Sequence, residues 1–202
     1  ELEFRTLINK FLNKNEVKSK IDNNQLDLFA ENTANESSEP KFAKYESIKT
    51  TQHDYQLIEN EDELRRICDF FLTKEFVSID TETTSTDAIS AELVGLSFSA
   101  EESKAFYVPV PANYEEALKV VQIFKPLYES DKIMKIGQNI KYDYEVLTRY
   151  GVTIQGKMFD TMIAHYLIQP ELHHNMDYLA ETLLGYQTIH IEELLGPKGK
   201  KQ

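Results

Sequence analysis

Phe76-Val77-Ser78-Ile79-Asp80-Thr81-Glu82-Thr83-Thr84-Ser85 is the stretch that decides the fold. A short strand-like run leads straight into two carboxylates, Asp80 and Glu82, spaced two apart. In an extended chain, residues i and i+2 project from the same face. Two acids on one side of a strand end repel each other unless something positive sits between them. Hard divalent cations take carboxylate and water oxygens, so the pattern predicts a strand end that holds metal. The rest of the chain must then supply the other ligands and a substrate.

The bulk composition sets the frame for that prediction. The 202 residues suit one sizeable domain with an appendage, and 41% hydrophobic residues allow a real core. A single cysteine, Cys68, rules out an intramolecular disulfide and fits a small core residue in a reducing cytoplasm. No apolar run reaches membrane-spanning length, so no membrane partner is expected. The net charge of −12 argues against non-specific gripping of duplex DNA through its phosphates. It leaves room for a nuclease, whose metal-holding acids count as negative until the metal arrives.

Outward from the central stretch, residues 1–12 show apolar positions at helical spacing (Leu2, Phe4, Leu7, Ile8, Phe11, Leu12). Residues 13–52 have the polar composition of a linker, broken by one apolar island, Gln25-Leu26-Asp27-Leu28-Phe29. A compact domain is expected from His53 onward. Its expected strands are Tyr55–Ile58, Phe76–Asp80, Leu93–Phe98, Ala105–Val110 and Lys132–Ile136, the third and fourth antiparallel across a turn at Ala100–Lys104. Its expected helices are Glu61–Leu72, Tyr114–Tyr128, Ile140–Tyr150, Phe159–Ile168 and Met176–Leu184. Asn139 and Asn175 are expected as N-caps and Gly151 as a helix stop. The order of strands and helices predicts an α/β mixed sheet flanked by helices.

The second chemical signal is Gly137-Gln138-Asn139-Ile140-Lys141-Tyr142-Asp143, which puts an acid one turn inside a helix that follows a strand. Alone, Asp143 would be a first-turn acid facing the helix dipole. Together with Asp-x-Glu, the two blocks resemble the Exo I and Exo II motifs of DEDD-family 3′→5′ exonucleases. The likeness is nearer still to the proofreading domain of bacterial DNA polymerase I and runs from Tyr55 to Gln202. It includes Ile89 to Phe98, Phe159-Asp160-Thr161-Met162 and His174-Asn175-Met176-Asp177-Tyr178-Leu179-Ala180-Glu181. Several blocks in the right order are far more specific than one motif.

The resemblance implies an RNase H-like exonuclease fold. It also implies phosphodiester hydrolysis with two divalent cations, Mg²⁺ or Mn²⁺, about 4 Å apart. It makes Asp80 the bridge between both ions, Glu82 a ligand that orients water, and Asp143 a ligand of the second ion. The substrate would be a single-stranded DNA 3′ end held at Gln138, Asn139 and Tyr142, an aromatic and amides that need not read sequence. The 3′-end contacts would also use Thr86, His173 and Ile191, where relatives carry an apolar, a basic and an aromatic residue. The family's fourth acid, in a Tyr-x-x-x-Asp motif, has no counterpart up to Gln202, so this stretch should bind one metal poorly and cleave slowly. Asp160-Thr161 before a helix reads instead as an N-cap.

Residues 1–12 look like the end of a 5′-nuclease region, which would place residues 53–202 between that region and a polymerase domain of the same parent chain. Gln25-Leu26-Asp27-Leu28-Phe29 resembles the pentapeptide that docks bacterial replication proteins on the sliding clamp. The setting would be the bacterial cytoplasm beside the nucleoid. Two other readings stay open: an RNase D-type RNA exonuclease, which shares both motifs, and a non-catalytic spacer domain. His165, His173 and His174 form no zinc pattern, and His165 is expected in the core.

Overall fold

The computed structural model describes residues 45–190 and Glu193. The helix expected at residues 1–12, the Gln25–Phe29 motif, Ile191 and the C-terminal tail lie outside the described residues.

The framework is a six-stranded mixed sheet. In chain order its strands are β2 (Asp54–Leu57), β3 (Phe76–Thr83), β4 (Leu93–Glu101), β5 (Lys104–Pro109), β6 (Met134–Gly137) and β7 (Met158–Asp160). They lie in the order β2-β5-β4-β3-β6-β7. The β3–β4 and β4–β5 pairs are antiparallel, and β2–β5, β3–β6 and β6–β7 are parallel. Two short strands, β1 (Glu46–Ser47) and β8 (Tyr186–Gln187), pair in parallel separately. Glu46–Ser47 falls in the stretch read from composition as linker. The pairing with β8 gives its backbone partners that composition does not reveal.

Helix α1 (Glu61–Leu72) has the bounds its apolar spacing predicts. Asn60 caps it by accepting from the Asp62 N–H, and Leu64, Ile67, Cys68 and Phe71 form its buried stripe. Helix α2 (Tyr114–Tyr128) is likewise capped by Asn113 and buries Ala117, Val121, Phe124, Leu127 and Tyr128. The aromatic centre of the core lies between these helices and the sheet, where Phe98 stacks on Phe124 at 4.6 Å between centroids. No helix among the described residues is long and apolar enough to cross a membrane.

The structure departs from expectation around the second motif. Helix α3 (Ile140–Thr148) ends earlier than Tyr150. Asn139 is not a side-chain cap: it sits in the left-handed region, at φ 59° and ψ 44°, and its side chain makes no capping bond. The cap comes from Asp160. Phe159, expected at the start of a helix, lies in β7 instead, while Asp160 caps α4 (Thr161–Ile168) as its place before a helix predicts. The extended backbone there lets one carboxylate serve two helices. It accepts from the Met162 and Ile163 N–H groups of α4 at 2.9 and 3.2 Å. It also accepts from the Asn139 and Ile140 N–H groups at the start of α3, at 3.2 and 2.9 Å. Asn175 caps α5 (Met176–Leu179) as expected, but the following turn, Ala180–Leu184, is π-helical rather than α-helical.

Because each cap is worth about 1–2 kcal/mol, Asp160→Ala should lose about 2 kcal/mol or more, read as a lower urea midpoint. A loss no larger than that of an ordinary surface substitution, within about 0.5 kcal/mol, would contradict the double cap.

Candidate active site

Strand β3 extends past Asp80 to Thr83, so Glu82 is still within the strand. Val77, Ile79 and Thr81 are buried, while Asp80 is half-buried and Glu82 exposed. The alternation puts both acids on one face, as their spacing requires. Cross-strand, Asp80 lies opposite Ser97 and Glu82 opposite Gly95. The absent side chain at Gly95 matters here, since a Cβ there would come within 2.2 Å of the Tyr107 hydroxyl. Burial and the Glu82 charge both push the Tyr107 phenol above its ordinary value.

Asp143 reaches the strand end from the first turn of α3 and is buried. Its Oδ1 accepts from the Thr81 N–H at 2.9 Å and from the Thr81 hydroxyl at 2.7 Å. These bonds join the two motifs across 62 positions of sequence. Thr81 is a site residue that the motif reading passed over. The available signal was a hydroxyl on the inward face of a strand, which needs a buried partner.

The electrostatics are those of crowded like charges. Desolvation, followed by the Asp143 and Glu82 charges, pushes the Asp80 carboxyl up to about 7. Desolvation likewise raises Asp143 to about 6 against the opposing Thr81 bonds, with Asp160 adding to the rise. Asp160, whose oxygens are taken by four N–H groups, acts here as structure rather than as a free ligand.

Among the described residues, no three His, Cys, Asp or Glu side chains form a ready-made metal cage. The donors nevertheless suit Mg²⁺ or Mn²⁺. They are hard carboxylates held in repulsion, and Mg²⁺ usually keeps several waters and takes only one or two carboxylates. A cation held by Asp80, Glu82 and Asp143 would offset the burial that raises both carboxyls and the like charges that add to the rise at Asp80.

The residues expected at the 3′ end surround this point unevenly. The Tyr142 hydroxyl bonds to Thr83 Oγ1 and to the Ser85 carbonyl, which ties α3 to the loop after β3. Thr86 is exposed in that loop. The Gln138 amide is spent on the protein, donating to the His174 carbonyl at 2.6 Å and accepting from the Thr161 hydroxyl. Asn139 and His173 are exposed. His165 is buried, with its Nδ1 2.7 Å from His174 Nδ1 and its Nε2 3.1 Å from Gln169 Oε1. A groove of about 470 Å³ runs from Asp80 and Gln138 along Phe159, Ile168, Met176 and Leu184.

The raised carboxyls give a sign for the pH dependence. Unfolded, both acids titrate near the usual carboxylate value, so between about pH 4 and 7 the native chain holds more protons than the unfolded one. Their contribution to stability is therefore lost as pH rises. In EDTA, Asp80→Asn should melt above wild type by a few degrees, with the gap widening from about pH 5 to about pH 8. A gap that does not change with pH would contradict the raised Asp80 carboxyl.

Residues 55–201 match the family model described as 3′-5′ exonuclease. The DNA polymerase I of Borreliella burgdorferi is 36% identical over 152 residues, covering 74% of this chain and 17% of that protein. The chain thus spans about a sixth of that relative's length. Trypanosoma brucei RNase D in complex with RNA U12 shares the fold at a TM-score of 0.60 and 16% identity, over 73% of this chain and 52% of that one. Brucella melitensis NrnC with bound Mg²⁺ shares it at 0.53 and 20% identity, over 75% and 70%. That family model covers well over half of the sequence, and the Borreliella relative adds to it: the chain belongs to the 3′–5′ exonuclease family found in DNA polymerase I.

Proposed function

We propose that the chain is the proofreading module of a DNA polymerase I, removing nucleoside 5′-monophosphates from frayed single-stranded DNA 3′ ends. The observation that carries this reading is the Thr81–Asp143 connection, which brings the third acid to the strand end already bearing Asp80 and Glu82. Two Mg²⁺ or Mn²⁺ ions held by Asp80, Glu82 and Asp143 would supply Lewis-acid chemistry, easing ionisation of a water and neutralising charge on the phosphate. The Mg²⁺ on the Brucella melitensis protein supports that choice of cation.

The chain's own residues do the positioning. Thr81 fixes the Asp143 carboxylate by two bonds to one oxygen. Tyr142 holds the loop after β3 through Thr83 and Ser85, which sets where Thr86 meets a terminal nucleotide. Gln138 acts by bracing the start of α3 rather than by touching a base, since its amide is already engaged. Asn139 and His173 offer exposed polar groups to the strand, and Ile191 would flank it.

The same reading makes residues 1–12 the end of a 5′-nuclease region, 13–52 a linker, and a polymerase domain the source of duplex grip in the bacterial cytoplasm. Gln25-Leu26-Asp27-Leu28-Phe29 would dock on the sliding clamp by placing Leu28 and Phe29 in an apolar pocket.

Two experiments test these assignments. In the parent protein, Mg²⁺-dependent release of mononucleotides from a labelled single-stranded DNA 3′ end should fall at least about 100-fold in Asp80→Ala. Equal rates, or a preference for RNA ends, would overturn the reading. For the linker, an immobilised clamp should retain wild type and lose the Leu28→Ala/Phe29→Ala variant, and equal retention would contradict docking.

A further inference from the structure

The face of the sheet that bears Asp80 and Glu82 continues beyond them. Directly paired residues project to the same side of a sheet. Asp80 and Glu82 on β3 therefore share a face with Ser97 and Gly95 on β4, and with Tyr107 and Pro109 on β5. Leu57 and Tyr55 on β2 extend it, beside Tyr107 and Ala105. Gln138 and Asn139 stand on the other flank, at the end of β6, which pairs with β3 on the side away from β4. The β4–β5 side carries no assigned contact.

Gly95 opens that side. A glycine inside a strand weakens it and marks a close approach, and the group that approaches is Tyr107. Although Tyr107 pairs with Ser97, its ring leans diagonally over β4. Two ring carbons lie 2.5 and 2.6 Å from where a Cβ on Gly95 would stand. Gly95 lies directly opposite Glu82, so the ring is one strand away from that acid, about 5 Å. The half-buried ring also borders a cleft of about 320 Å³ with Ser97, Ala105, Leu57 and Tyr55, all on the acid face. That volume lies in the range of small-molecule sites.

A scissile phosphodiester joins two nucleosides, so a phosphate at the acids needs a wall on each side. With the terminal nucleotide on the α3 flank, the next one falls on the β4–β5 flank. There an aromatic ring offers a stacking surface that reads no sequence. We propose that Tyr107 is a substrate-contacting residue, its ring the surface on which the penultimate nucleoside of a single-stranded DNA 3′ end rests. This builds on the exonuclease reading above. An aromatic laid over a glycine also steadies a sheet, and the test separates the two roles.

The test is fluorescence anisotropy of a labelled single-stranded DNA with the 202-residue chain, with Ca²⁺ in place of Mg²⁺. A second strand lacks only the penultimate base, and thermal melting checks the fold of each variant. Tyr107→Leu should bind the complete strand about 10-fold more weakly than wild type, and the strand without the base equally well. Tyr107→Phe keeps the ring and should bind as wild type does. Gly95→Ala, whose new methyl displaces the ring, should show the Tyr107→Leu loss and add little to it in the double variant. Wild-type binding by Tyr107→Leu, a loss in Tyr107→Phe, or the same loss on both strands would overturn the proposal, the last being the mark of a purely structural ring. Wild type that binds neither strand would overturn the exonuclease reading and this proposal with it.

Discussion

Two hydrogen bonds to one carboxylate oxygen hold the site together. Asp143 Oδ1 accepts from the Thr81 N–H and from the Thr81 hydroxyl, and Thr81 lies between Asp80 and Glu82 in sequence. Without that connection, the acid on α3 and the acids on β3 would be separate surface features. With it, the start of α3 is fixed to the end of the central strand, and the Tyr142 bonds to Thr83 and Ser85 close the same junction from its exposed side. Asp160 completes the arrangement from β7, since its carboxylate starts both α3 and α4.

The cost of that position is electrostatic. Asp80 and Asp143 are drawn from water and toward each other, and both carboxyls rise far above their usual range. The Asp160 charge, committed to helix capping, adds to the rise at Asp143. Strain of this kind at a cleft is a mark of function, because a fold selected for stability alone would neutralise or pair such acids. A divalent cation held there would resolve the conflict.

The sequence made the strand-end acids legible because a period of two leaves no choice about which side chains share a face. Helices α1 and α2 were equally legible, since Asn60 and Asn113 cap them locally and their apolar spacing is regular. The start of α3 was not. Asn139 has the chemistry of a cap, yet the cap arrives from Asp160, 21 positions later, and a local reading cannot see it. Phe159 is extended rather than helical for the same reason, since its state depends on pairing with β6, whereas the Asp160 cap on α4 is local and legible. The engagement of the Gln138 amide by Thr161 and His174 likewise belongs to tertiary structure alone.

The central claim is that the end of β3 is an anionic site made to hold a cation. Its most direct test is the melting temperature at about pH 8 with and without millimolar Mg²⁺, for wild type and for Asp80→Asn. A ligand that binds only the native state raises stability by mass action. Mg²⁺ should raise the wild-type midpoint and leave the Asp80→Asn midpoint nearly unmoved. No Mg²⁺ effect on wild type, or the same rise in both proteins, would contradict it.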